Sequence, residues 1–155
     1  MLMYDFENMD KRLIVFGYLF RVANRLQSKM DSQMKDMTAK QWFVILVLGL
    51  FDQPPTLKQL AAAYDTSHQN TKQLVMKLAE KGFVTIYNDE MDGRAMRIAA
   101  TDQCQQWDKD NEMIATKFMA GMFSDMSTDE ITGLSGSLIT LFENLGNIDG
   151  GAADV

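Results

Sequence analysis

Between Thr56 and Ala100 the chain reads TLKQLAAAYDTSHQNTKQLVMKLAEKGFVTIYNDEMDGRAMRIAA, and the order of local signals in this stretch leaves few folds open. Thr56 followed by Gln59 is a capping box, in which each side chain satisfies an orphan backbone N–H at a helix start. Leu57, Leu60, Ala61 and Tyr64 then recur at helical spacing. Asp65 interrupts, and Thr66 with Gln69 predicts a second capping box. Leu74, Val75 and Leu78 share one face of the helix that follows, with Thr71 at its edge. Gly82, just after Lys81, stands where a left-handed C-cap is wanted. Phe83 to Tyr87 is β-branched and aromatic and predicts a strand. Asn88 to Gly93 predicts a loop, and Arg94 to Ala99 the returning strand. Two helices joined by so short a turn must cross steeply over a shared core. With the hairpin behind them they predict a winged helix-turn-helix.

The second helix presents a consistent outer face. Ser67, His68, Gln69, Asn70, Lys72, Gln73, Met76 and Lys77 point away from the Leu74/Leu78 stripe, and no acid stands between Ser67 and Ala79. Gln and Asn suit the adenine edge, Lys suits guanine or phosphate, and Ser suits phosphate. A helix start also offers free N–H groups to a phosphate. Any solvated helix has a polar face, so the wing matters: Arg94 at the edge of its loop is placed to enter a minor groove. Asp92 or Asp89 is its competing partner. Arg97 on the returning strand completes the predicted DNA-binding set of Ser67, His68, Gln69, Asn70, Lys72, Gln73, Lys77, Arg94 and Arg97.

The sequence "KLAEKGFV", an acidic loop with Asp92-x-Arg94, and a strand ending in Ala100-Thr101 resemble the MarR (multiple antibiotic resistance regulator) family of bacterial transcription factors. The family pattern falls on Leu78, Lys81-Gly82, Asp92, Arg94 and Thr101, and upstream on Thr38, Gln41, Trp42, Ile45 and Leu48. The resemblance spans roughly Asp10 to Ile148. It departs at Thr85-Ile86-Tyr87, where many members carry an Arg, at Ala100, where they carry Leu, and at Cys104, where they carry Gly. It implies a homodimer that reads a pseudo-palindromic double-stranded operator, usually as a repressor. It also implies a small aromatic or phenolic effector held between the dimer helices and the DNA-binding unit. Phe16, Phe20, Trp42, Phe43 and Trp107 are the candidate lining of that cleft, although aromatic residues at helical spacing are more simply core.

Composition bounds the alternatives. With 155 residues, 46% of them hydrophobic, the chain has enough for one domain with a real core. A formal net charge of −6 argues mildly against DNA binding. Its distribution qualifies that: residues 56–100 hold six basic and five acidic side chains, net +1, leaving −7 elsewhere. Nonspecific affinity should be modest, and specificity should lean on base contacts. The single Cys104 excludes an internal disulfide and fits a reducing cytoplasm. The opening MLMYDFEN lacks the n-region and apolar run of a signal peptide. The longest apolar run, Trp42 to Phe51, is too short to span a membrane, so a cytoplasmic location is expected.

Outside the winged unit, assigned to residues 38–100, a first helix from about Met9 to Lys29 carries Leu13, Phe16, Gly17, Phe20, Ala23 and Asn24 on one stripe. Met30, Met34 and Met37 read as loop, and Tyr4 and Phe6 as apolar enough to pack on something. Thr38 and Gln41 cap a helix from Ala39 to Phe51, apolar nearly all round and so predicted central, which Pro54-Pro55 stops. Thr101-Asp102 opens a long helix to about Asp125, and Ser127 with Glu130 caps a last one whose stripe runs from Ile131 to Ile148. Residues 149–155 predict a flexible tail. The expected architecture is mainly α with a small β-hairpin wing, about six helices, dimerised through residues 1–30 and 102–148.

No catalytic constellation is present. One His and one Cys do not make a metal site by the usual spacing, no phosphate-cradling glycine loop appears, and neither an enzyme nor a cofactor is expected. Cys104 at a helix start is open to a redox role, the simpler reading being a small half-buried side chain. The alternative function is a winged-helix protein-interaction module that has lost DNA binding, which the acidic loop of Asp89, Glu90 and Asp92 favours.

Overall fold

In a computed structural model that describes residues 8–148, six helices and one hairpin follow in the order α1 Lys11–Gln33, α2 Ala39–Leu48, α3 Leu57–Ala63, α4 His68–Glu80, β1 Val84–Asn88, β2 Met96–Ala100, α5 Asp102–Met122 and α6 Thr128–Ile148. Tyr4, Phe6 and the predicted tail lie outside the described residues. The described residues form two compact units, one up to Ile114 and one from Ala115 onward.

The first unit is built around the winged helix. Capping boxes at Thr38/Gln41 and Thr56/Gln59 set the starts of α2 and α3. The third start differs from the sequence reading. Ser67, not Thr66, caps α4, with its hydroxyl accepting from the Asn70 N–H at 3.2 Å. The reason lies one residue earlier. Asp65 takes the left-handed conformation (φ 53°) that closes α3, with the Thr66 N–H on the Ala61 carbonyl, so Thr66 belongs to the end of α3. Gly82 closes α4 the same way, at φ 79°, with the Phe83 N–H on the Leu78 carbonyl.

The core lies where α2, α3, α4 and β2 meet. Val44, Leu60, Val75, Leu78 and Ile98 are its fully enclosed members, with Thr71 beside them. The stripe of α4 is therefore Thr71, Val75 and Leu78, rotated slightly from the expected one, and Leu74 is half-buried. Thr71 turns its hydroxyl back to the Ser67 carbonyl at 3.1 Å, which lets it sit inside. Met30 is the last inward residue of α1, while Met34 and Met37 stand in the loop between α1 and α2 as expected, and all three are buried in the core. Unbranched and pliable, they fill the space between α1 and α2. α2 is less central than its composition suggests. It ends at Leu48 rather than Phe51, and Phe43, Leu46 and the following Leu50 face outward.

β1 and β2 pair antiparallel with Val84 opposite Ala100 and Tyr87 opposite Arg97. The returning strand starts at Met96, two residues later than the sequence suggests, which leaves Arg94 in the loop. Pro55 and Thr56 add an outer edge: the Ile98 N–H donates to the Pro55 carbonyl at 3.0 Å and Thr56 bridges Arg97.

The second unit contains the end of α5 and all of α6. The Ser127/Glu130 cap forms as expected, and its hydrogen bonds hold the Glu130 carboxyl below its usual range. α6 has no buried residue.

Candidate nucleic-acid interface

The outward face of α4 follows from what its inward face must do. With Thr71, Val75 and Leu78 fixed in the core, a 3.6-residue period turns His68, Gln69, Lys72, Gln73, Met76 and Lys77 to the outside. These six, followed by Glu80, line one open surface depression along the helix. The phase is settled at Thr71 and Lys72: the first is enclosed and the second exposed. Ser67 and Asn70 sit exposed at the N-terminal end, where the free N–H groups and the positive end of the helix dipole point outward. No described carboxylate forms an ion pair with His68, Lys72 or Lys77.

The C-terminal end of α4 is anchored. Lys81 donates from Nζ to the Asp36 carbonyl at 2.7 Å and to Gln41 Oε1 at 3.0 Å. A cation at this end of a helix also suits its dipole. The larger role of Lys81 is to join α4 to the start of α2, through a Gln41 oxygen that also accepts from the Thr38 N–H.

The wing divides its two arginines. Arg97 lies half-buried with its Nε on the Asp89 carboxylate and its Nη1 on the Pro54 carbonyl at 2.6 Å. It was expected among the DNA-facing residues. The structure instead commits its guanidinium to the base of the wing, where the Thr56–Arg97 bridge brings the Pro54 carbonyl beside it. Asp89, an acid of the predicted loop and there a competing partner for Arg94, is buried. Its Oδ1 accepts from the N–H groups of Asp92 (2.8 Å) and Met91 (2.9 Å), which folds the loop. The Asp92 N–H bond, the Arg97 guanidinium and the Met91 N–H bond together hold its carboxyl below the ordinary value of 3.8. Arg94 is exposed. Asp92 takes its backbone N–H at 3.1 Å, and no described carboxylate pairs with its guanidinium, so the side chain is left to reach outward.

The five aromatic residues expected to line an effector cleft fall into separate places. Phe16 and Phe20 stack edge-on at 5.3 Å on the exposed surface of α1. Phe43 leans on Tyr64 at 5.2 Å, and burial there pushes the Tyr64 hydroxyl up from 10.0. Trp107 is core, edge-on to Phe83 at 6.0 Å, and donates its indole N–H to the Lys35 carbonyl at 3.0 Å. Trp42 is half-buried on α2. Within the single chain these residues do not form a single cleft.

Cys104 is enclosed at the start of α5. Burial, and after it the Asp108 carboxylate, raises its thiol above 9.0, so desolvation outweighs the helix-start effect expected to activate it. Among the described residues no group of three His, Cys, Asp or Glu side chains is arranged to hold a metal ion. No helix among them is long and apolar enough to cross a membrane.

Residues 35–95, from the α1–α2 connection to the wing loop, match the family model described as the MarR family. Over that stretch the chain is similar to the MarR family. The solved structures similar to the chain share the six-helix winged architecture. One is a probable transcriptional regulator from Pseudomonas aeruginosa, 22% identical, covering 81% of this chain and 95% of its own, at a TM-score of 0.71. A second is S. aureus MepR in complex with DNA, 21% identical, covering 83% and 97%, at 0.74. A third is Bordetella bronchiseptica BpsR, solved to explain regulation of its DNA binding by 6-hydroxynicotinic acid, 16% identical, covering 81% and 97%, at 0.68. No curated protein matches the sequence. Members of the MarR family are regulators rather than enzymes.

Proposed function

We propose that this chain is a member of the MarR family and a sequence-specific double-stranded DNA-binding regulator, acting as a homodimer and most simply as a repressor. The observation that carries the proposal is the outer row of α4, where His68, Gln69, Lys72, Gln73, Met76 and Lys77 face out together without an acid before Glu80. Each α4 would enter a major groove, with Ser67, Asn70 and the helix start on phosphate and Gln69, Lys72 and Gln73 on base edges or phosphate. Arg94 would reach an adjacent minor groove. Arg97 would hold the wing in shape. The family match covers this unit, and MepR, of the same fold, is solved on DNA.

The homodimer reading rests on apolar surface. Leu134, Leu138, Phe142 and Leu145 of α6, and Leu13, Phe16 and Phe20 of α1, are all exposed in the single chain. Each helix thus carries an uncovered apolar stripe of its own, and exposed apolar surface of that kind marks an interface. Two half-sites about one turn apart would then be read by symmetry. A small aromatic effector, as BpsR has in 6-hydroxynicotinic acid, would act by changing the spacing of the two α4 helices.

The test is a pair of substitutions read by binding to the DNA upstream of the protein's own gene. Lys72→Ala should weaken specific and nonspecific binding alike and flatten the salt slope by about one unit. Gln73→Ala should relax sequence preference at one position, at about 1–3 kcal/mol. If neither changes binding, α4 is not the reading surface, and the acidic wing loop would then favour a protein-interaction module.

A further inference from the structure

Met76 is the one apolar side chain in the outer row of α4, where every other member is polar or charged. It is 44% exposed, although Val75 before it and Leu78 after it are enclosed. An unbranched, pliable side chain turns into a core that has room for it. Here Val75 and Leu78 fill the core side, and Met76 stays on the outside. One flank fixes its place. Met76 and Lys72 line the narrow gap between α4 and the hairpin together with Ile86 and Met96, and both also line the open depression along the helix. Met76 therefore borders the wing on one side and the outer face on the other. Single apolar side chains are common on protein surfaces. This one stands within the row that would face base edges, one helical turn beyond Lys72 and Gln73.

We infer that Met76 reads the C5-methyl group of a thymine. The inference rests on the regulator reading, in which α4 lies in a major groove. The base edges there present hydrogen-bond donors and acceptors, and the thymine methyl is the apolar group among them. An amide or ammonium group set against that methyl would give up water without gaining a partner. A thioether side chain buries the methyl and leaves no polar group unpaired. The charges around Met76 suit this division of work. Lys72 and Lys77 stand beside it, and no described carboxylate forms an ion pair with either. They can hold the phosphates while Met76 faces the bases. The distance along the helix locates the thymine. One turn of α-helix advances about 5.4 Å and successive bases on a strand are about 3.4 Å apart, so the thymine belongs within about two base pairs of the pair that Gln73 meets.

The experiment measures binding of the full-length protein to the DNA upstream of its own gene, with deoxyuridine replacing one thymine at a time. Deoxyuridine lacks the methyl and keeps every hydrogen-bonding group of thymine. At one thymine in each half-site the parent should lose about fourfold in affinity, the worth of one buried methyl-sized group. Met76→Ala should bind the unmodified DNA more weakly and be indifferent to deoxyuridine at that thymine. Met76→Gln, of nearly the same length, should be equally indifferent without opening a gap beside the wing, and Met76→Leu should keep the dependence. A side chain that only seats the wing would behave differently: its loss would weaken binding to both duplexes alike and leave the deoxyuridine penalty in place. That pattern would overturn the contact. So would a parent that reads the upstream DNA specifically but loses no affinity at any substituted thymine, or loses it only beyond two base pairs from the position that Gln73→Ala relaxes. In each of these cases the regulator reading stands. A parent that does not prefer the upstream DNA to a scrambled duplex would overturn the regulator reading itself, and the methyl contact with it.

Discussion

The winged unit and the last helix are built on opposite terms. In α2, α3, α4 and β2 the apolar side chains close over one another. Polar groups there, such as Thr71, Gln41 and Asp89, have partners within the fold. In α6 a comparable density of Leu, Ile and Phe leaves no residue buried. The first region is complete as a single chain, and the second has its apolar stripe without a matching surface. Helical periodicity marks a face to be covered but is silent on whether the cover is this chain or another. Core and interface are therefore written in the same residues, and only the enclosed structure separates them.

Substitutions can press on that contrast. Leu78, with no exposed surface, and Leu138, at 43% exposure, are the same residue in helices of similar amphipathic character. Leu78→Ala should cost about 2–5 kcal/mol in chemical denaturation. Leu138→Ala should cost little at protein concentrations low enough to hold monomer, and its cost should grow as concentration rises. Equal costs that do not depend on concentration would erase the distinction between core and interface.

Phe142→Glu should halve the mass measured by light scattering at micromolar concentration while leaving the far-ultraviolet circular dichroism unchanged, since Phe142 is exposed in the single chain. A parent protein that is already monomeric there would remove the interface reading altogether. A smaller effect is expected at Gly82. Its φ of 79° disfavours any Cβ, and a Cβ built there would lie 2.6 Å from Gln103 Oε1, an atom at the end of a flexible side chain. Gly82→Ala should cost about 1–2 kcal/mol, chiefly from the backbone, against the several expected at Leu78.

The smallest expected effect is a dependence on pH at the wing. The Asp89 carboxyl titrates below its ordinary value, so its contribution is fully present above that ordinary value and fades as pH falls through the depressed one. Hydrogen exchange at the Met91 and Asp92 amides should report this as lost protection in acid, after correction for the intrinsic rate. In Asp89→Asn the protection should be weaker at neutral pH and insensitive to acid. A parent wing that opens only with global unfolding would contradict a local lock.

Much of this was legible in the sequence because it is local. Three capping boxes, the Gly82 cap, the hairpin and its acidic loop are decided within a few residues, and they stand in the structure with boundaries shifted by two or three positions. The Ser67 cap was missed because Thr66 has the same chemistry one residue away, and Asp65 in the left-handed region decided between them. Arg97 and Asp89 were misplaced for a different reason. Their pairing depends on which edge of the hairpin meets Pro54 and Thr56, a contact across 43 residues of sequence that no short-range signal carries. The scattering of the five aromatic residues has the same origin: composition marked them, and packing sent Trp107 to the core and Phe16 and Phe20 to the surface.

The central claim is that the outer face of α4 reads a particular DNA sequence. Fluorescence anisotropy of the purified protein with the DNA upstream of its own gene, against a scrambled duplex of equal length and titrated with salt, tests it directly. The account predicts saturable binding about a thousandfold tighter than to the scrambled duplex, with a preference that persists as salt rises. Equal and weak binding to both duplexes, lost together on adding salt, would contradict it.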